Sequence, residues 1–293
     1  MTCPNRDGKL GNRGCIFCSA GGSGDFAVEV GTAGQHSISH DISLELEEGI
    51  RLIEHKLNTT TSFENKPNII AYFQAYTNTY APVAYLREVF TAALSNEKVC
   101  GISIATRPDC LEDDVLNLLC ALKEQFPEKF IWIELGLQTI HDKTAHYIRR
   151  GYALPCFEDA MKKLQAIHIP VIVHVILGLP GETSKMMLET IHYLNRWMPF
   201  GVKLQLLHVL EHTDLAIDFA DGKFNTLTKT EYLDILIQCL EHLSSDIVIH
   251  RVTGDGPKKI LISPTWSADK KGVLNSLHKL MKEQNARQGR KYT

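Results

Sequence analysis

The chain has 293 residues, 44% of them hydrophobic, and a formal net charge of -3 at pH 7. That is enough apolar material for one large core, and α/β barrels of this size are commonly one domain. The near-neutral balance excludes a molecule that binds polyanions over its whole surface, and no apolar run reaches the length of a membrane span.

Three cysteines come first, Cys3, Cys15 and Cys18, in a C-x11-C-x2-C arrangement set among glycines, with the aromatic Phe17 before the last. Three thiolates on one Gly-rich loop can hold three corners of an iron-sulfur cube and leave the fourth iron open to a ligand. The same thiols completed by His36 or His40 would make a Cys3His zinc site. A disulfide is disfavoured: no signal peptide precedes Cys3, and Cys100, Cys110, Cys120, Cys156 and Cys239 are scattered singly, in the manner of a reduced cytoplasmic protein.

Beyond the loop, Ile42, Leu46, Ile50, Ile53 and Leu57 share one helical face, as do Leu111, Val115, Leu118, Leu119 and Leu122. Short runs rich in β-branched residues alternate with such segments: 68–73, 99–105, 130–135, 171–177, 202–208 and 246–250. Strand and helix in alternation build a parallel sheet with helices outside. The strands end in polar or Gly-bearing residues, such as Gln74 to Asn78, Thr106-Arg107-Pro108-Asp109 and Gly178-Leu179-Pro180-Gly181. Carboxyl ends of parallel barrel strands carry the site, so a partial, open TIM-like (βα)6 barrel is expected over a flat doubly wound sheet. His174, His208, His250 and Arg251 fall on the last strands in the alternation of inward-facing positions. With Arg107 and the segment that holds Lys258, they are candidates for binding an anionic substrate. Residues 268–293 carry seven cations against two carboxylates, a net +5, which points either to phosphate contact or to a solvated helix end that frays.

Six ordered motifs carry a resemblance. They are the cysteine loop with Phe17, Tyr72 to Thr79, Ala105 to Cys110, Glu134 to Thr139, Arg149-Arg150-Gly151-Tyr152 and Gly178 to Glu182. Together they resemble the radical S-adenosylmethionine superfamily and, within it, the YhcC-like group related to the radical domain of the Elongator catalytic subunit. The resemblance runs from Cys3 to about Trp266. It implies a core barrel over 1–266, with its cluster loop, followed by a basic helix or tail over 267–293. It also implies a 4Fe-4S cluster on Cys3, Cys15 and Cys18 whose open iron binds S-adenosylmethionine, with flavodoxin or ferredoxin as the kind of reductant that would feed it.

The cofactor would then lie against Phe17, Gln74, Thr106, Gln138, Ile176, Gly178 and Gly181, with the Arg150 fork on its carboxylate. Gln74-Ala75-Tyr76 stands where many members carry Gly-Gly-Glu, and Arg149 takes the asparagine place of an Asn-Arg-Gly motif. Elongator relatives act on the wobble uridine of tRNA, so tRNA is the expected partner; the alternatives are a radical enzyme for a small anionic metabolite or a porphyrin-like substrate, and a non-catalytic iron-sulfur or zinc module. Met1-Thr2 stands directly before the first ligand, so the first barrel strand is expected to be truncated. No second group of closely spaced cysteines follows, which argues against an auxiliary cluster and sulfur insertion.

Overall fold

The computed structural model describes residues 1–22, 24, 28, 37–57, 69–254 and 256–292, with the side chains of 53–57 left aside. His36, Asn68 at the start of the first run, and the side chains of Ile53 and Leu57 lie outside the described residues, as does Asp255 in the segment that holds Lys258.

The described elements are, in chain order, α1 (Ile38–Leu57), β1 (Ile69–Phe73), α2 (Val83–Ser95), β2 (Val99–Thr106), a 3-10 turn (Pro108–Cys110), α3 (Asp113–Gln125), β3 (Phe130–Gln138), α4 (Asp142–Tyr147) and α5 (Leu154–Ala166). They continue with β4 (Val171–Leu177), α6 (Ser184–Trp197), β5 (Gly201–Leu206), β6 (Val209–Leu210), α7 (Asp214–Ala220), α8 (Lys229–His242), β7 (Val248–Arg251), β8 (Leu261–Ser263), a second 3-10 turn (Thr265–Ala268) and α9 (Lys270–Glu283). Strands β1, β2, β3, β4, β5 and β7 pair in that order, all parallel, as an open half-barrel. The short antiparallel pair of β6 with β8 was not foreseen from the sequence.

Alternation along the strands sorts side chains to two faces. Ile102, Ile104, Ile133, Leu135, Val173, Val175, Val202 and Leu204 are buried in one cluster with the apolar stripes of the helices, including Phe90, Leu94, Leu119, Leu122, Phe157, Met161, Ile191 and Leu236. Side-chain caps begin two of these helices: Thr183 accepts from the Met186 amide at α6, and Thr228 with Glu231 forms a capping box at α8. Phe157 has no exposure at all, so Phe157→Ala should cost about 3–5 kcal/mol, read as a lowered urea midpoint.

The opposite strand faces look into the barrel and stack in three levels. At the amino-terminal ends, Phe130 stacks on Trp132 with ring centroids 4.2 Å apart, and Phe200 and His250 close the layer. Gly101 and Gly201 admit it, because a Cβ at either would run into the Phe130 or His250 ring. His250 therefore belongs to the bottom of the barrel and not to the mouth, a correction to the rim expected from alternation. Period two reports the face of a strand but not the height along it. Above this layer lie Tyr72, Ser103, Glu134, His174 and Lys203, and above them the strand ends that bear the site.

The C-terminal segment is docked. Val273 and Leu277 of α9 are buried, Arg290 and Lys291 pair with the buried Glu241 at 2.9 and 2.5 Å, and Gln288 donates to the carbonyls of Ser244 and Ile247. Two of the tail cations thus fasten the tail to α8, which replaces the expectation of a frayed end. No helix among the described residues is long and apolar enough to cross a membrane.

Candidate active site

The cysteine loop is stapled across the carboxyl ends of the strands. Thr77 N–H donates to the Thr2 carbonyl (3.2 Å), Tyr76 N–H to Gly22 (3.0 Å) and Ile16 N–H to Ile148 (3.1 Å). The Arg6 guanidinium donates to the carbonyls of Ser19 (2.5 Å) and Cys18 (3.1 Å), and Asn5 Nδ2 reaches both the Arg149 carbonyl (2.7 Å) and Cys15 Sγ (3.4 Å). Two glycines make this possible. Gly14 and Gly22 have φ of +74° and +60°, and a side chain on them would strike Arg6 and Tyr76.

The three thiols line one cavity of about 160 Å3 together with Phe17, Gln74, Thr106, Gln138, Arg150 and Ile176. Its lower part is made by Tyr72, Glu134, His174 and Gln205. All eight cysteines are free. Burial, then the neighbouring Cys18, pushes the Cys15 thiol up to about 12, the cost that iron bound to the thiolate would offset. Among the described residues no three His, Cys, Asp or Glu side chains converge on a single ion. A cube places its three thiolates on separate irons, and three thiols in the wall of one cavity are a donor set that fits it.

The other expected residues fall into distinct places. Arg150 is 2% exposed; Nε donates to the Tyr152 carbonyl, Nη1 donates to those of Leu137 and Thr139, and Nη2 is buried without a partner. Most of its fork is thus spent on backbone, and the one orphaned nitrogen is the part suited to a cofactor carboxylate. Arg149, with φ +54°, turns the other way and pairs with Asp214. Arg107 lines the cavity but its guanidinium is taken up by both oxygens of Asp109 (2.9 and 2.7 Å) and the Arg150 carbonyl (3.0 Å). It is a poor choice for an anionic substrate. Thr106 Oγ1 meets Thr79 Oγ1 at 2.5 Å, and Tyr152 donates to Gln138 Oε1 at 3.0 Å.

Gly178 and Gly181, both near φ +82°, do not line this cavity; a Cβ at Gly178 would meet Leu227 instead. Ile176 and Phe17 do line it, beside a small apolar cluster with Ile16, Ile148, Leu179 and Leu207.

A second pocket, of about 100 Å3, adjoins the first and shares Phe17, Gln74, Ile176 and Gln205 with it. Its own walls include His208, Arg251, Gly254, Gly256 and Pro257, while Lys258 is exposed just beyond. Of the residues expected at a substrate rim, His174 therefore lies under the first cavity, His208 and Arg251 in the second, and Lys258 outside both.

Sequence reasoning missed the charged layer beneath. Glu134, 4% exposed, accepts from Ser103 (2.7 Å) on one oxygen and from Tyr72 (2.8 Å), His174 Nε2 (2.6 Å) and Lys203 Nζ on the other. Burial alone would raise this carboxyl; the hydrogen bonds from His174 and Lys203, with the Lys203 charge, outweigh it and hold it well below the carboxylate range. Burial lowers His174 and Lys203 in turn. The only sequence signal was a lysine and a glutamate at inward positions of strands that otherwise read as apolar.

A cavity at the carboxyl ends of a curled parallel sheet, with three thiols in its wall, is the arrangement of radical enzymes built on an iron-sulfur cluster. The chain belongs to the radical SAM superfamily: the superfamily profile matches residues 9–194, and that of the radical SAM C-terminal domain residues 199–283. It is 40% identical to the uncharacterized protein YtqA of Bacillus subtilis over 98% of this chain and 84% of that one, and 32% identical to YhcC of Escherichia coli over 97% and 85%. A tRNA uridine(34) acetyltransferase of Methanocaldococcus infernus is 24% identical over 57% of this chain and 31% of its own length. Among solved structures, the archaeal Elp3 of Methanocaldococcus infernus superposes with a TM-score of 0.68 at 17% identity, over 89% of this chain and 62% of that one, a likeness of fold.

Proposed function

We propose that this protein is a cytoplasmic enzyme that holds a 4Fe-4S cluster on Cys3, Cys15 and Cys18 and modifies a tRNA base, the side chain of a wobble uridine. The observation that carries this reading is the continuity of the two cavities: one wall bears the thiols, the far wall bears Arg251 and His208, and Gln74, Ile176 and Gln205 lie between. When bound, the cluster and S-adenosylmethionine would supply a deoxyadenosyl radical able to remove a hydrogen atom from the substrate. The chain's own residues have the remaining work. Phe17 and Ile176 offer apolar surface to an adenine, Thr106 and Gln138 offer oxygens to ribose hydroxyls, and the orphaned nitrogen of Arg150 suits a carboxylate. Tyr76, its hydroxyl on the Ala20 carbonyl at 2.7 Å, holds the cluster loop down over the cavity.

The tRNA part rests on the wobble-uridine enzyme among the relatives and on where the cations lie. Lys258 and Lys259 are exposed beside the second pocket, and Lys271 stands at the start of α9, just after the 3-10 turn whose Ser267 bonds His208 (3.0 Å). Phosphates of a folded RNA would meet these while one base enters the pocket. Two measurements test the assignment. Modified nucleosides in tRNA from cells lacking the gene should lose a wobble-uridine species, and identical profiles would reject it. Affinity for tRNA should fall steeply with salt, with a slope of roughly -0.9 per phosphate neutralised; a protein that binds no tRNA even at low salt would point to the small anionic substrate instead.

A further inference from the structure

Gln205 stands at the carboxyl end of β5 and lines both cavities, at the seam between the thiol-bearing wall and the Arg251 pocket. Its Nε2 lies 3.3 Å from His174 Nδ1, and His174 Nε2 lies 2.6 Å from Glu134 Oε2. These two contacts orient the amide. Burial disfavours the imidazolium and Glu134 is ionised and only accepts, so a neutral His174 carries its proton on Nε2; Nδ1 is then a bare acceptor, and Gln205 turns a nitrogen toward it. One N–H is used on the imidazole. Because Gln205 lines both cavities, its second N–H and Oε1 are the donor and acceptor it has left to offer there.

A uracil presents, along its pairing edge, an N3–H donor beside a carbonyl acceptor, and an amide fixed with O and N–H in this order matches it with two hydrogen bonds. Cytosine in the same place presents the reverse, a bare N3 beside an amino group. It would need the amide flipped, which would set Gln205 Oε1 against the lone pair of His174 Nδ1. On the wobble-uridine reading above, we propose that Gln205 is the specificity-determining residue that selects uracil over cytosine, and that Glu134, through His174, is the positioning device that prevents the flip. This gives the buried carboxylate a role toward the substrate beyond charge balance in the barrel.

The test uses the full-length, anaerobically reconstituted protein and two anticodon stem-loop RNAs that differ only in uridine or cytidine at the wobble position, with Kd read by fluorescence anisotropy. The native protein should favour the uridine RNA by about tenfold or more, the scale of one good bidentate base contact. Gln205→Ala, a truncation at the cavity wall, should bring the ratio to about one, and His174→Ala, which frees the amide to turn, should lower it as well. Gln205→Ala that keeps the native ratio overturns the proposal. So does a Gln205→Ala protein that loses S-adenosylmethionine binding while its ratio stands, since Gln205 would then serve the cofactor. Native protein that binds both RNAs equally refutes the role of the amide and leaves the tRNA reading intact, whereas native protein that binds neither removes the tRNA reading and this inference with it.

Discussion

Alanine at Cys3, Cys15 and Cys18 together is expected to leave the anaerobically reconstituted protein colourless, free of iron and unable to cleave S-adenosylmethionine, with its fold intact. The first half follows from the donor set: thiolates are the ligands such clusters use, and the three occupy one wall of a single cavity. The second half follows from what holds the loop. Among the described residues its staples include Asn5, Arg6, Tyr76 and backbone bonds to Thr2, Gly22 and Ile148, and of these the contact of Asn5 with Cys15 involves a thiol. The loss in stability should be about 1 kcal/mol, the worth of one hydrogen bond. Iron content, the visible absorption of the cluster and a thermal melt distinguish the outcomes. Iron retained in full by the triple variant would show that the cluster lies elsewhere.

Glu134→Leu is expected to be among the most damaging single changes in the barrel, at about 3–5 kcal/mol, because it leaves the Lys203 ammonium buried without its counter-charge. Pairing it with Lys203→Met removes the orphaned charge too, so the double variant should recover most of the loss. Urea midpoints of the two singles and the double form the cycle that measures this coupling. Equal and additive losses would mean that the two groups do not sense one another.

The same carboxylate makes the fold sensitive to acid. Glu134 has its folded pKa held below the unfolded value of 4.5, so its contribution is full above that pH and drains as the pH falls through and below it. His174, lowered from 6.5 by burial, adds an earlier stage in the same direction, since the unfolded chain takes up its proton first as the pH drops below 6.5. Urea midpoints should therefore decline in two stages from pH 7 downward, and the lower stage should shrink in the double variant.

Much of this was legible before any coordinates. Each expected run contributed a strand to the six-stranded sheet, because an inward or outward position two residues apart is a local property of the chain. The spacing of the three cysteines marked out one loop, and the fold sets their thiols in the wall of a single cavity. The misplacements share one cause. His250 was assigned the right face and the wrong level, and Arg107 the right cavity but a guanidinium already bound to Asp109. The adjacent pair Arg149 and Arg150 was resolved only by the left-handed backbone at Arg149, which sends one side chain to Asp214 and the other into the barrel.

By itself, then, the order of residues determined the alternation of strand and helix, the parallel half-barrel and the three-thiol loop, since these depend on periodicity and short-range spacing. Only the tertiary structure decided that Tyr72, Ser103, Glu134, His174 and Lys203, drawn from five strands, share one buried charge centre, and that its hydrogen bonds run through His174 to Gln205 at the seam of the two cavities. The physical reason is that hydrogen bonds and ion pairs act over a few ångströms. Which groups come that close depends on strand register and on the curl of the sheet, and the whole core must fold before either is set.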